Sequence, residues 1–128
     1  MLKIFSKNIN QECKNASKFL DAEIVDSVPC EQHLIYKDNE FSYVDASKRT
    51  LRIDFNSGTI LWRLNRSLHE KDLKKALGKV KSHKRIYDAT PGFLNDALIF
   101  LSLGHKVVAV EHSKIIFLLV NSAIDLSL

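Results

Sequence analysis

The sequence has few cysteines, glycines and prolines, and it has no long apolar run. Its 128 residues include two cysteines, four glycines and two prolines. Cys13 and Cys30 form no CxxC pattern, and the five histidines show no ligand spacing, so we expect neither a disulfide framework nor a metal site. The longest apolar run, residues 115–120, is far shorter than the roughly 20 residues that span a bilayer. We therefore expect a cytoplasmic protein without a membrane partner.

The composition is typical of an ordered globular protein, with 45% hydrophobic and 27% charged residues. The charge is unevenly distributed, because residues 63–85 contain nine lysines and arginines but only Glu70 and Asp72 as acids. A local excess of this kind suits a polyanion such as nucleic acid. A solvated helix face is the alternative, and the composition alone does not separate the two.

Residues 1–55 are typical of a small α+β extension. Asn8 or Asn10 can cap a helix that runs to Leu20, with Cys13, Ala16, Phe19 and Leu20 facing inward. The turn signal Asp38-Asn39 separates two strand-like segments and predicts a hairpin. The predicted strands cover residues 2–5, 23–26, 33–37, 40–44 and 51–55. Residues 59–64 fit either a strand or irregular structure.

Residues 56–128 predict an α/β fold, the start of a Rossmann-like parallel sheet. Ser67 and Glu70 have the spacing of a capping box for a helix that ends near Gly78. A strand, a helix and a second strand follow between residues 85 and 111, and a further helix starts at Ser113. Two parallel strands do not make a sheet that is covered on both faces. We therefore expect a fragment, or an oligomer or missing C-terminal half that covers the apolar surface.

The stretch from Arg85 to Glu111 has the element order of a nucleotide-type α/β site. Asp88 closes the first strand, Gly92 lies in the turn, and Glu111 ends the second strand. Ligands bind at the carboxyl ends of such strands, so both acids are candidate ligand contacts. Pyrophosphate binding requires a G-x-G-x-x-G pattern, whose absence disfavours a nicotinamide-dependent enzyme. S-adenosylmethionine carries no phosphate, and acids that accept from its ribose hydroxyls suit it better.

Several motifs resemble those of the small-subunit (16S) ribosomal RNA guanine-N2 methyltransferase J family. Residues 88–97, DATPGFLNDA, resemble that family's D-A-T-A-G-L-G-R-D-A signature, and residues 101–104 resemble its L-A-S-L-G. Upstream, residues 53–58 resemble its V-D-F-x-G-G motif, and Arg63 resembles part of its H-R-R segment. The resemblance implies a class I methyltransferase fold, S-adenosylmethionine as cofactor, and a guanine of small-subunit ribosomal RNA as substrate.

Pattern and resemblance together predict a set of site residues. The strand-turn-strand pattern predicts cofactor contacts at Asp88, Gly92 and Glu111. The resemblance implies contacts at Asn95, Asp96 and His112, and again at Glu111. The basic segment supplies the expected RNA contacts, which are Arg63, Arg66, Lys71, Lys74 and Lys75. No residue is assigned a catalytic role. Leu94 stands where the family has its second glycine, and we expect its side chain to crowd the cofactor.

Three functions remain open on the sequence. The first is methyl transfer from S-adenosylmethionine to guanine N2 of small-subunit ribosomal RNA. The second is an RNA-binding or regulatory fragment without catalysis, and the third is the disfavoured nicotinamide-dependent enzyme. The family also carries a D-P-x-[FY]-P motif in its second half, and no such string occurs here. We therefore expect this chain alone to be inactive or very weakly active.

Overall fold

The computed structural model describes residues 1–65, 71–78 and 83–127. In chain order, its helices and strands are β1 (Lys3–Phe5), α1 (Gln11–Leu20), β2 (Glu23–Val25), β3 (His33–Lys37), β4 (Glu40–Val44), β5 (Thr50–Leu51), α2 (Gly58–Asn65), α3 (Lys71–Leu77), β6 (Arg85–Asp88), α4 (Asn95–Ser102), β7 (Lys106–Ala109) and α5 (Lys114–Ser127).

The contacts divide the chain into two compact units. The first unit contains Met1–Asp54 together with the segment from Ser113 onward, and the second contains Phe55–His112. The sequence-based division into residues 1–55 and 56–128 differs from this grouping in one element, because α5 packs on α1 and β4 of the first unit. The assignment of the two parts as domains stays a prediction.

The first unit is built on a five-stranded sheet in the order β2-β1-β3-β4-β5. The central strand β1 pairs in parallel with β2 on one side and with β3 on the other. The remaining pairs, β3 with β4 and β4 with β5, are antiparallel. The core of this unit contains the fully buried side chains of Ile4, Cys13 and Leu34, with Leu119 of α5 nearly as inaccessible.

Helix α1 begins after Asn10, one of the two predicted caps. The Asn10 side-chain oxygen accepts a hydrogen bond from the Cys13 backbone N–H at 2.9 Å, which satisfies one of the first free N–H groups of the helix. Cys13 and Ala16 are buried as expected. Phe19 is 41% exposed and instead contacts the ring of Phe117 at a centroid distance of 5.8 Å. The prediction that Phe19 faces the core is therefore wrong.

The predicted hairpin is confirmed by the pairing of β3 with β4. His33 lies opposite Val44, and Lys37 lies opposite Glu40 at the turn. Asp38 and Asn39 have φ angles of 54° and 60°. Two consecutive residues with positive φ are what a two-residue type I′ turn requires, and Asp and Asn tolerate this conformation better than most residues.

Two predictions between residues 51 and 64 are wrong. The predicted strand at 51–55 shrinks to the two residues of β5, since only Thr50 and Leu51 find partners on β4. Ile53 is buried even so, which explains the alternating pattern without a strand. Residues 59–64, predicted as strand or irregular, form most of α2. The i, i+4 spacing of Ile60 and Leu64 is the helical signal that the prediction passed over.

Helix α5 confirms the predicted start at Ser113. The Ser113 hydroxyl accepts from the Ile116 backbone N–H at 3.3 Å, as an N-cap does. Leu119 and Val120 are buried, and so is Ala123 one helical turn later, so one face of α5 belongs to the core of the first unit. None of the described helices is long and apolar enough to cross a bilayer.

The second unit contains a two-stranded parallel sheet formed by β6 and β7. Helix α4 connects the two strands and contacts both β7 and α2. The predicted β-α-β order is thus confirmed, and so is the end of α4 near Gly104, which has a φ of 89°. Helix α3 likewise ends at Gly78, with a φ of 72°. The predicted capping box at Ser67 and Glu70 lies outside the described residues.

Candidate functional site

The two strands of the second unit end together. Asp88, the last residue of β6, lies opposite Ala109, the last residue of β7. The Val110 backbone N–H continues the ladder by donating to the Asp88 carbonyl oxygen at 2.9 Å. Because the strands are parallel, both carboxyl ends lie at one edge of the sheet, which is where open α/β sheets bind ligands.

Asp88 shapes the loop that leaves this edge. Its Oδ1 accepts from the Thr90 backbone N–H at 3.1 Å, which is the hydrogen bond of an Asx turn. No described residue donates to its other carboxylate oxygen, and the side chain is half-buried. One carboxylate oxygen therefore holds the loop, and the second accepts no hydrogen bond from a described residue. The sequence prediction assigned no role to Thr90. An Asp at the start of a turn commonly accepts a hydrogen bond from the backbone N–H two residues later, and this is the signal that pointed to it.

The turn between β6 and α4 contains two residues in the left-handed region. Gly92 has a φ of 50°, and a Cβ placed on it would meet no atom within 4 Å. Leu94 has a φ of 63°, and its backbone N–H donates to the Pro91 carbonyl oxygen at 2.8 Å. Leu94 is also the N-cap of α4 and supplies no side-chain hydrogen bond to it. The turn is therefore open at Gly92, and its backbone is strained at Leu94.

Four further predicted cofactor contacts follow the two strands. Asn95 and Asp96 open the first turn of α4, and both are exposed. Glu111 comes two residues after the end of β7 and is half-buried, and His112 beside it is exposed. The structure places all of them in the segments that leave the carboxyl edge of β6 and β7. Their roles as cofactor contacts remain predictions.

The predicted RNA contacts fall mainly on two helices. Arg63 lies in α2, and Lys71, Lys74 and Lys75 lie in α3. The Lys75 side chain is exposed. Arg66 lies outside the described residues.

The described residues contain no group of three or more His, Cys, Asp or Glu side chains that could hold a metal ion. The two cysteines are free, Cys13 buried and Cys30 exposed. The candidate residues at the edge of β6 and β7 offer carboxylates, the Asn95 amide, the His112 imidazole and backbone groups.

This set of groups fits S-adenosylmethionine. Two carboxylates, Asp88 and Glu111, follow neighbouring strands, and a carboxylate can accept hydrogen bonds from two ribose hydroxyls at once. The empty space beside Gly92 lets a ligand approach the backbone closely. The acids also disfavour a phosphate at the same place, since like charges repel.

The family model described as "Putative SAM-dependent methyltransferase" (SAM_MT) matches residues 21–127. Two relatives carry the name ribosomal RNA small subunit methyltransferase J. The protein from Francisella philomiragia is 32% identical over 92 residues, which cover 71% of this chain and 38% of that protein. The protein from Francisella tularensis subsp. novicida is 26% identical over 118 residues, which cover 91% of this chain and 49% of that protein. The chain thus spans less than half the length of either relative.

The fold is similar to that of a solved SAM-dependent methyltransferase from Neisseria gonorrhoeae. The TM-score is 0.71 at 20% identity, and the match covers 99% of this chain and 52% of the solved one. This likeness confirms the predicted α/β fold class. Because the family model covers far more than half of its residues, the chain belongs to the SAM_MT family of SAM-dependent methyltransferases, and the family implies S-adenosylmethionine as its cofactor.

Proposed function

We propose that the chain carries the cofactor-binding part of a methyltransferase that acts on the exocyclic N2 of guanine in small-subunit ribosomal RNA. The observation that carries the proposal is the placement of Asp88 and Glu111 at the carboxyl ends of two paired parallel strands, around the open turn at Gly92. The substrate is taken from the names of the two Francisella relatives. The cytoplasm is the proposed location, as the RNA substrate requires.

The residues at this edge would bind and orient the cofactor. Glu111 would accept from the ribose hydroxyls, and the Asx turn of Asp88 would hold the loop in one conformation. Asn95, Asp96 and His112 would provide further polar contacts. S-adenosylmethionine supplies an electrophilic methyl group when it is bound. The protein's contribution to rate is then the positioning of that group against the guanine amine, for which a base outside the helical stack is required.

The basic residues would hold the RNA backbone. Lys71, Lys74 and Lys75 share the short helix α3, and Arg63 and Arg66 precede it. Binding through such residues releases condensed counterions, so the affinity for RNA should fall steeply as the salt concentration rises. A salt-independent affinity would contradict this assignment.

Calorimetric titration tests the cofactor assignment directly. We expect binding of S-adenosylmethionine, and no binding of NAD under the same conditions. The variants Glu111→Gln and Asp88→Asn should weaken the binding, because each removes a charged acceptor. Asp26→Asn removes a charge from an exposed position of the first unit and is the matched control, which should leave binding unchanged. Binding of NAD without binding of S-adenosylmethionine would overturn the proposal.

A second candidate function is RNA binding without catalysis. The observation that favours it is the basic segment of residues 63–85, in which nine lysines and arginines stand against two acids. Incubation with under-methylated small ribosomal subunits and labelled cofactor separates the candidates. Retention of the subunit RNA on a filter without transfer of label would favour the second candidate, and transfer of label would favour the first.

A further inference from the structure

The first unit also has neighbouring parallel strands whose carboxyl ends lie at one edge of its sheet. Its strands β1 and β2 are parallel neighbours joined by α1, and β3 pairs in parallel on the opposite side of β1. The strand order therefore reverses at β1. In open α/β sheets, such a reversal leaves a crevice outside the carboxyl ends of the strands, and ligands bind in it.

A cavity of about 620 Å³ lies at this point. Its volume falls within the range of roughly 300–1,000 Å³ that small-molecule sites occupy. The residues that line it come from the end of β1, the loop to α1, the end of β3 and the hairpin turn. They are Phe5, Lys7, Asn8, Asn10, Ile35, Tyr36, Lys37, Asp38 and Asn39. None of them belongs to the candidate cofactor site.

One wall of the cavity combines apolar side chains with a hydrogen-bonded tyrosine. Phe5 and Ile35 are direct neighbours in the β1–β3 register, and both are half-buried. Tyr36 is 5% exposed, and its hydroxyl accepts from the Asn10 side-chain N–H at 2.9 Å and donates to Glu12 at 2.7 Å. Because these partners fix the Tyr36 ring, this wall is formed before any ligand arrives.

The loop between β1 and α1 is held in the same way. The buried Ser6 donates its hydroxyl hydrogen to the Asn8 carbonyl oxygen at 2.8 Å, and its backbone N–H donates to the Val25 carbonyl oxygen at 3.0 Å. Asn10 then caps α1 through the Cys13 N–H. The loop that carries Lys7 is therefore pinned on both sides of that residue.

Two unpaired ammonium groups stand at the cavity. Lys7 and Lys37 are exposed, and within the described parts of the chain neither forms an ion pair. The cross-strand neighbour of Lys37 is Glu40, which is engaged by Arg52 through a hydrogen bond of 3.1 Å. Asp38 is the one acid in the lining. An anion is therefore the ligand that the charges of this cavity favour.

We propose that this cavity binds a phosphorylated nucleoside, with the base against Phe5 and Ile35 and the phosphate between Lys7 and Lys37. An inorganic phosphate alone would leave the apolar wall and most of the volume unused, whereas a nucleotide uses both. Aromatic side chains accept the face of any base, and amides such as those of Asn8 and Asn39 can reach its polar edges. The nucleotide can come from two sources, a free mononucleotide or a single-stranded RNA.

The experiment titrates the chain with GMP, with guanosine and with a short labelled single-stranded RNA, using calorimetry and fluorescence anisotropy. The double variant Lys7→Ala/Lys37→Ala removes both cations. Lys14→Ala/Lys18→Ala removes two exposed lysines of α1 that do not line the cavity and is the matched control. Circular dichroism checks that both variants remain folded, which the exposure of all four lysines leads us to expect.

We expect GMP or the RNA to bind, and the double variant to weaken that binding by about tenfold, as the loss of charge-assisted contacts implies. The control variant should bind within about twofold of the unchanged chain. Because Arg63, Arg66 and the lysines of α3 are also proposed RNA contacts, only the affinity that the double variant loses is assigned to this cavity. A larger loss for the RNA than for GMP identifies RNA as the source, and the reverse order identifies a free nucleotide. Equal binding of guanosine and GMP would overturn the proposal, and so would equal loss in both variants or no binding of either phosphorylated ligand.

This test stands apart from that of the methyltransferase function. S-adenosylmethionine binding, measured on the same double variant, should be unchanged, because the cavity shares no residue with the candidate cofactor site. Failure of GMP and RNA to bind would remove this second site and leave the cofactor assignment untouched. Failure of S-adenosylmethionine to bind would remove the cofactor assignment and leave this second site untouched.

Discussion

Leu94 occupies a backbone conformation that glycine adopts at much lower cost. Its φ of 63° and ψ of 19° are left-handed, and it precedes α4 without a side-chain cap. A left-handed conformation costs a residue with a Cβ about 1–2 kcal/mol. The substitutions Leu94→Gly and Leu94→Ala both remove the half-buried side chain, but only the first one removes this strain.

We expect the free energy of unfolding of Leu94→Gly to exceed that of Leu94→Ala by about 0.5–1 kcal/mol. The relief of strain, about 1–2 kcal/mol, is reduced by the greater entropy of the unfolded glycine chain, about 0.4–1 kcal/mol. The lost burial of the leucine side chain is common to both variants and cancels. At an ordinary helical position the order is reversed, because glycine is about 1 kcal/mol less favourable than alanine there.

Urea unfolding followed by tryptophan fluorescence measures the difference. Trp62 is the one tryptophan of the chain, and it lies in α2 of the same unit as Leu94. Leu61→Gly and Leu61→Ala form the matched control pair, since Leu61 is a 46% exposed residue within α2. At position 61, the alanine variant should have a higher free energy of unfolding than the glycine variant. The reasoning is refuted if, at position 94, the alanine variant is as stable as the glycine variant or more stable.

The same two variants test whether Leu94 crowds the cofactor. Both remove the side chain, so both should tighten the binding of S-adenosylmethionine if crowding limits it. The relief of backbone strain should make the two variants differ in the free energy of unfolding. The removal of crowding should raise their affinities for S-adenosylmethionine equally. Unchanged binding in two folded variants would show that the cofactor does not approach this side chain.

Three smaller changes test other parts of the fold. Asn10→Ala removes the cap of α1 and should lower stability by about 1 kcal/mol in thermal unfolding; an unchanged melting temperature would contradict that role. Gly104→Ala places a Cβ 2.7 Å from His83 Nε2 at a φ of 89°, and should cost about 1–2 kcal/mol in urea unfolding; no loss would show that the backbone there relaxes. The Arg49 backbone N–H holds the pKa of Asp45 below its ordinary value, so the stabilisation is complete above that ordinary value and disappears as the pH falls through the lowered one. Asp45→Asn should flatten this acid limb of a melting-temperature profile, and an unaltered limb would assign it to other groups.

Local signals account for the parts of the fold that the sequence predicts well. The Asp38-Asn39 turn sets the hairpin register by itself, because few other residues accept two positive φ angles. The cap at Asn10 and the helix end at Gly104 are also decided by neighbouring residues. Each of these features depends on a backbone preference or a hydrogen bond that spans only a few positions.

The predictions that failed depend on distant partners. Ile53 is buried without belonging to a strand, because β4 offers partners only to Thr50 and Leu51. The alternation around Ile53 therefore reports burial on one side, and it does not report strand pairing. Phe19 fits the apolar stripe of α1 but meets Phe117 at the edge of the core, and that contact joins residues nearly a hundred positions apart.

The two candidate sites also differ in how far apart in the sequence their residues lie. The edge of β6 and β7 is readable from the sequence because strand, turn, helix and strand follow one another without interruption, so Asp88 and Glu111 are placed by local order. The left-handed backbone of Leu94 could be suspected only from the glycine that the resembling family has there. The cavity beside Lys7 and Lys37 was missed because the pairing of β1 with β3 brings together residues thirty positions apart. The order of strands in a sheet cannot be inferred from hydrophobic periodicity.

The two edges obey one geometric rule with opposite charge. Each lies at the carboxyl ends of neighbouring parallel strands. In the second unit Asp88 ends β6 and Glu111 follows β7, whereas in the first unit Lys37 ends β3 and Lys7 follows β1. A carboxylate edge suits a ligand rich in hydroxyls and carrying a positive sulfonium, and a lysine edge suits phosphate. The proposed methylation of RNA needs both kinds of recognition, because the donor is cationic at its reactive centre and the acceptor is a polyanion. Replacing the charged residues of either edge by residues of opposite charge should therefore abolish the binding of that edge's own ligand. The altered edge should not bind the other ligand, since shape and apolar contacts differ as well.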